Sequence, residues 1–233
     1  MAWLSPERYE SEFAAETAGF AAAAARHDLS AQVPTCPEWT YRDLIVHVGS
    51  GHRYATGLIT AGATGPRPLT RAEPAADWAG WLTDGAAALI GAVRRAGFDQ
   101  PVWSWQPQCQ TAGFWLRRML HDEIIHRFDA EPAARVAADL AADGVSDLLA
   151  TLATLAGTRA MPGLTGTGET LQFRAPGGAW HATLTPTGIE WRAGEAPADE
   201  TVDTPELLLV LNRRLPPAGP GPIFERWLAS SRF

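Results

Sequence analysis

The chain has 233 residues, 46% of them hydrophobic and 19% charged, with a formal net charge of −7. That length allows one large domain or two modest ones that each bury a core, and an acidic balance without a basic tract argues against a nucleic-acid surface. No apolar run reaches the roughly 18 residues of a membrane span, and the opening M-A-W-L-S-P-E-R lacks the pattern of a signal peptide, so a cytoplasmic location is expected.

Ser5-Pro6 reads as an N-cap followed by proline at the first helical position, opening a helix that runs through an Ala-rich stretch to about His27. Val33 to Trp39 follows, where two prolines forbid a helix and force an extended connection. Thr40-Tyr41-Arg42-Asp43 resembles a capping box with Asp in place of Glu and starts a second helix, to about Thr60. Ala61 to Glu73 is a Gly/Pro/Thr-rich connection. A third helix is expected from Pro74 to about Arg95, closed by Gly97. The loop Phe98 to Gln110 carries Trp103, Trp105 and Cys109 and must cross an end of the bundle. Thr111 then caps a fourth helix, whose central stretch is Trp115 to Glu131. Four helices with a long crossover describe a four-helix bundle.

Past Pro132 the texture changes. One more amphipathic helix, Asp139 to about Ala156, precedes Leu171–Arg174, Trp180–Leu184 and Ile189–Arg192, three alternating stretches separated by Gly and Pro turns. These predict a small antiparallel meander. Thr204-Pro205-Glu206 should start a helix through L-L-L-V-L-N-R-R-L, and Phe224 to Ser230 a last short one. The fold class is therefore mostly α with an α+β second domain, divided as 1–137 and 138–233.

Within the fourth helix Asp122 and His126 stand four apart. At roughly 100° per residue they share one face, as two metal ligands would. Arg118 extends that stripe, and Trp115, Met119 and Ile125 frame it with apolar side chains, so the polar groups need an internal partner. Two readings stand: a metal site, or an Arg118/Asp122/His126 ion-pair ladder. Leu116, Leu120, Ile124 and Phe128 occupy the opposite face, which suggests a helix buried on both sides. On the second helix, His47 has Ser50 and Gly51 beside it, with Leu44 and Tyr54 as walls. A lone histidine there is either a satisfied core residue or a ligand. With Asp122 and His126 it makes a two-His, one-carboxylate set, which zinc, iron, nickel or manganese accept. His52 is five residues on, about 140° away, and belongs to a different environment. Cys36 and Cys109 are too few for a disulfide framework and read as free thiols; no base is placed beside Cys36 to make it a nucleophile.

The runs P-T-C-P-E-W-T-Y-R-D-L-I-V-H-V-G-S-G-H-R (34–53), F-W-L-R-R-M-L-H-D-E-I-I-H-R-F-D-A-E (114–131) and T-P-E-L-L-L-V-L-N-R-R (204–214) resemble the mycothiol-dependent maleylpyruvate isomerase family. The resemblance implies a DinB-like metal-binding four-helix bundle followed by a small sterol-carrier-like α+β domain. It implies a divalent metal, usually zinc, held by His47, Asp122 and His126, with mycothiol as thiol cosubstrate and a small-molecule electrophile as the other partner. An arginine of the second domain contributes to the family's active site, and Arg213 or Arg214 is its nearest match. Arg118 and Arg213 would clamp substrate carboxylates as bidentate partners, or Arg118 would only neutralise Asp122. The implied activity is isomerisation of a cis-enedioate: the thiolate adds to the double bond, the new single bond rotates, and elimination releases the trans isomer. Permanent transfer of the thiol, for detoxification or natural-product assembly, is the alternative chemistry. A non-catalytic metal-binding module is the alternative class, and the chain would act as monomer or homodimer. The departure is Asp122, where the family usually has glutamate. One methylene fewer shortens the reach by about 1.5 Å, a large difference beside metal–oxygen bonds of about 2.0–2.2 Å.

Overall fold

The computed structural model describes residues 3–74 and 76–232. Met1, Ala2 and Phe233, the outer ends of the two expected domains, and Ala75, expected near the start of the third helix, lie outside the described residues. The chain divides into two compact units, one of Leu4–Arg135 and the other made of Trp3 with the chain from Val136 onward.

The first unit is built on four helices: α1 (Pro6–Ala24), α2 (Tyr41–Thr60), α3 (Trp78–Ala96) and α4 (Ala112–Ala130). α1 packs against α3 and α4, and α2 against α3 and α4. Ser5 Oγ accepts from Arg8 N and Pro6 fills the first turn, as the sequence predicts. The helix stops before His27, which is used otherwise: its Nε2 meets the Ala130 carbonyl at 2.8 Å, and its ring stacks on Tyr41 at 4.0 Å. That bond satisfies a carbonyl at the C-terminal end of α4 that has no partner within its own helix. The segment read as an extended connection pairs with itself as a hairpin, β1 (Gln32–Val33) and β2 (Cys36–Thr40).

α2 begins where its cap dictates. Thr40 Oγ1 accepts from Asp43 N, and the Asp43 carboxylate accepts from Thr40 N, so the box closes reciprocally. Hydrogen bonds from Thr40 and then Arg71 hold the Asp43 carboxyl at about 2, below its usual 3.8. Because the folded-state value is depressed, this stabilisation is complete above pH ~4 and is lost as pH falls toward 2. Thr40→Ala is expected to cost about 1 kcal/mol in urea denaturation at pH 7. α3 starts at Trp78, later than Pro74, because Asp77 Oδ1 accepts from Gly80 N and caps it there.

α4 has little amphipathic character because nearly all of it is buried, including Leu116, Leu120, Ile124 and Phe128 as well as Trp115 and Met119 on the polar-stripe side. It is the axis of the unit. The Met119 side chain of α4 packs against Gly51 of α2, where an added Cβ would lie 3.1 Å from Met119 Sδ.

In the second unit, α5 (Ala138–Leu155) precedes a four-stranded sheet in the order β5-β4-β3-β6. β3 (Thr170–Ala175), β4 (Gly178–Thr185) and β5 (Gly188–Ala193) form the antiparallel meander, and β6 (Glu200–Asp203) joins β3 in parallel, a strand the alternation did not predict. Helices α6 (Leu207–Leu211) and α7 (Pro222–Ser230) complete it. α6 is shorter than expected. Thr204 N still bonds the Arg174 carbonyl of the sheet, and the helix starts only after Glu206, at Leu207. At the other end Arg213 takes a left-handed φ of 58°, with Arg213 N on the Val210 carbonyl and Arg214 N on that of Leu209. This is a Schellman stop, with arginine where glycine is usual.

Candidate metal centre

The packing of α2 against α4 sets His47 opposite Asp122 and His126. Their ligand atoms all lie within 4.8 Å of one another. His47 Nε2 is 3.4 Å and His126 Nε2 3.8 Å from Asp122 Oδ2. Two donors bound to one zinc at about 2.1 Å and a tetrahedral angle stand about 3.4 Å apart, so the donor set fits such an ion by type, and the two distances to Asp122 Oδ2 are close to that spacing. The shorter carboxylate does converge with the imidazoles.

Arg118 Nη2 reaches Asp122 Oδ1 at 3.1 Å, the rung expected of an ion-pair ladder. Both features coexist, because Arg118 uses one carboxylate oxygen and the two histidines face the other. Burial works to raise the Asp122 carboxyl. His126, the hydrogen bond and charge of His47, and the Arg118 guanidinium outweigh it and hold the group well below the usual carboxylate range. His47 and Asp122 are 39% and 25% exposed, so the convergent face is open to a small ligand, whereas His126 is buried at 7%.

Three further residues shape the centre. Trp39 on β2 lies over both imidazoles, its ring 4.7 Å from that of His47 and 5.9 Å from that of His126. Asp129, one turn beyond His126 on α4, places Oδ2 2.9 Å from His126 Nδ1. Thr35 in the hairpin donates to Asp129 Oδ1. The i, i+3 spacing of His126 and Asp129 was a readable signal. The contributions of Thr35 and Trp39 had none, since they depend on the hairpin folding back.

His52 and Glu123 form a separate pair within the bundle at 2.7 Å, with side chains 1% and 0% exposed. His52 thus occupies a different environment, as its place on the wheel predicts. Residues 64–74 run along the His47 side of α2 as a strap: Tyr54 Oη donates to the Arg67 carbonyl, Ala72 N to Ser50 Oγ, and Arg71 to Asp43.

Arg213 and Arg214 belong to the second unit. Arg213 Nη1 donates to the Ser231 carbonyl at 2.6 Å. Burial pulls its pKa downward, with Arg232 and Arg214 adding to the effect. Of the two arginines it is the one held in left-handed backbone, a conformation found more often where a side chain is kept for function.

A helical bundle with two histidines and a carboxylate converging from facing helices defines a class of candidate metal-binding bundle proteins. The model of the mycothiol maleylpyruvate isomerase N-terminal domain family matches residues 11–131, more than half of the chain, and the chain belongs to that family. The family is mycothiol-related and its bundle is a DinB-like metal-binding domain. No curated protein sequence and no solved structure matches the chain. Among the described residues, no helix is long and apolar enough to cross a membrane.

Proposed function

We propose that the chain is a metal-dependent, mycothiol-dependent isomerase or S-transferase acting on a small-molecule electrophile. The observation that carries this reading is the convergence of His47, Asp122 and His126 in a member of this family. A bound divalent cation, zinc in this reading, supplies thiolate at neutral pH from a thiol that would otherwise be protonated. His47, Asp122 and His126 hold it through two nitrogens and an oxygen. Arg118 orients Asp122 and neutralises its charge, which its 3.1 Å contact favours over a direct substrate clamp. Trp39 packs beside both imidazoles and walls one side of the centre. Free Cys36 and Cys109 suit a reducing, cytoplasmic setting.

Metal analysis of the purified protein, followed by thermal unfolding with zinc and then mycothiol, tests the proposal. About one equivalent of zinc and an upward shift with mycothiol are expected. Zinc at a small fraction of an equivalent would end the metal reading. Zinc without a mycothiol shift would end thiol dependence and leave a non-catalytic metal-binding module. Asp122→Glu, although it restores the usual family residue, is expected to weaken zinc binding by titration calorimetry. Asp122 Oδ2 already stands 3.4 Å from His47 Nε2, so an added methylene must recoil.

A further inference from the structure

We infer that Asp129 is a positioning residue for His126, with Thr35 of the hairpin holding Asp129 in place. The inference deepens the metal reading and rests on it for its functional consequence. Asp129 is buried, its side chain 0% exposed, and a buried carboxylate is tolerated only when donors surround it. Three donors reach it: His126 Nδ1 on Oδ2, Thr35 Oγ1 on Oδ1, and the Cys36 thiol, whose Sγ lies 3.8 Å from Oδ2.

An ionised carboxylate only accepts hydrogen bonds, so His126 Nδ1 must carry the proton toward it. The lone pair is thereby confined to Nε2. That is the nitrogen facing Asp122 Oδ2 at 3.8 Å. The same bond fixes the ring plane, which a ligand imidazole needs.

A purely structural role explains the position poorly. Asp129 lies in the last turn of α4, where the helix dipole disfavours negative charge. It is also cut off from water, and one of its two oxygens is directed at the histidine ring. Burial and dipole both act against an acid here, and the hydrogen bond to His126 is among the interactions that compensate. Thr35 sits on a separate element, the hairpin between α1 and α2, so the fold brings in a donor from outside α4 to keep the carboxylate aimed.

The test uses the full chain in three forms: wild type, Asp129→Asn and Thr35→Val. Zinc affinity is measured by competition with a chelator, and the His126 tautomer by nitrogen NMR of the metal-free protein. Asn can offer an N–H where Asp offers only lone pairs, so Asp129→Asn is expected to move the His126 proton from Nδ1 and to lower zinc affinity roughly 10- to 100-fold. Thr35→Val should lower it several-fold and leave the tautomer mixed. Both variants should keep the wild-type circular dichroism, and if Asp129→Asn does not fold, Thr35→Val carries the test alone. Wild-type tautomer and affinity within twofold in the folded variants would overturn the inference. The NMR arm needs no metal, so a wild type that binds no zinc sinks the metal reading while the tautomer still decides the role of Asp129.

Discussion

Replacing His47 with alanine is expected to abolish stoichiometric zinc binding and leave the helical content of the chain unchanged. The side chain is 39% exposed and lies mid-way along a helix where alanine is well tolerated, so its removal opens no core cavity. What it removes is one of three converging donors. Zinc binding by four-ligand structural sites is worth about 10–16 kcal/mol, so one ligand carries on the order of 3 kcal/mol, more than a hundredfold in affinity. Two readings should change together. Zinc content by elemental analysis falls to background, and the thermal stabilisation that zinc gives the wild type, about 4 kcal/mol at a thousandfold excess over its dissociation constant, disappears. A variant that keeps one equivalent of zinc would show that the ligands lie elsewhere.

The second large effect concerns stability. His52→Ala is expected to destabilise the bundle by about 3–5 kcal/mol, because it leaves Glu123 buried without its 2.7 Å partner. Phe13, whose ring meets that of His52 edge-on at 5.0 Å, loses packing as well. The exposed pair Arg26–Glu131 is the internal control. Removing Arg26 should cost less than about 1 kcal/mol. Urea unfolding of both variants measures the contrast, and comparable losses would refute the assigned importance of the buried pair. The pair also bears on the centre. It spans the same two helices as His47 and Asp122, so it fixes the register that brings the candidate ligands together.

Much of this was legible in the chain itself. Thr40 and Asp43 gave both the start of α2 and its chemistry, since a capping box depends only on residues three apart. The placement of Asp122 and His126 on one face followed from helical periodicity, and α4's two-sided burial from its two apolar stripes. Features that depend on distant partners were not legible. The hairpin at 32–40 contains Pro34 and Pro37, which mask a strand signal, and Thr35 acquires its role only when folded onto Asp129. β6 is four residues long and needs β3 beside it to form. The end of α6 was missed because Arg213, not glycine, adopts the left-handed stop. The doubt over Asp122 was resolvable only in three dimensions. Side-chain length is only part of reach, and the placement of α2 against α4 supplies the rest.

The strap over α2 has a consequence for hydrogen exchange. Among residues 64–74, no amide bonds a backbone carbonyl, and the attachments to α2 are side-chain bonds at Arg42, Asp43, Ser50 and Tyr54. Its amide protons should therefore exchange with solvent deuterium long before those of α2 beneath it, which open only with the bundle. One amide should lag behind its neighbours. Ala72 N donates to Ser50 Oγ, and Ser50 is 4% exposed, so that proton is shielded at a single point in an otherwise unprotected stretch. Exchange in the Ser50→Ala variant should bring Ala72 level with the rest, leaving the side of α2 that carries His47 bordered by a segment labelled throughout within the first time points.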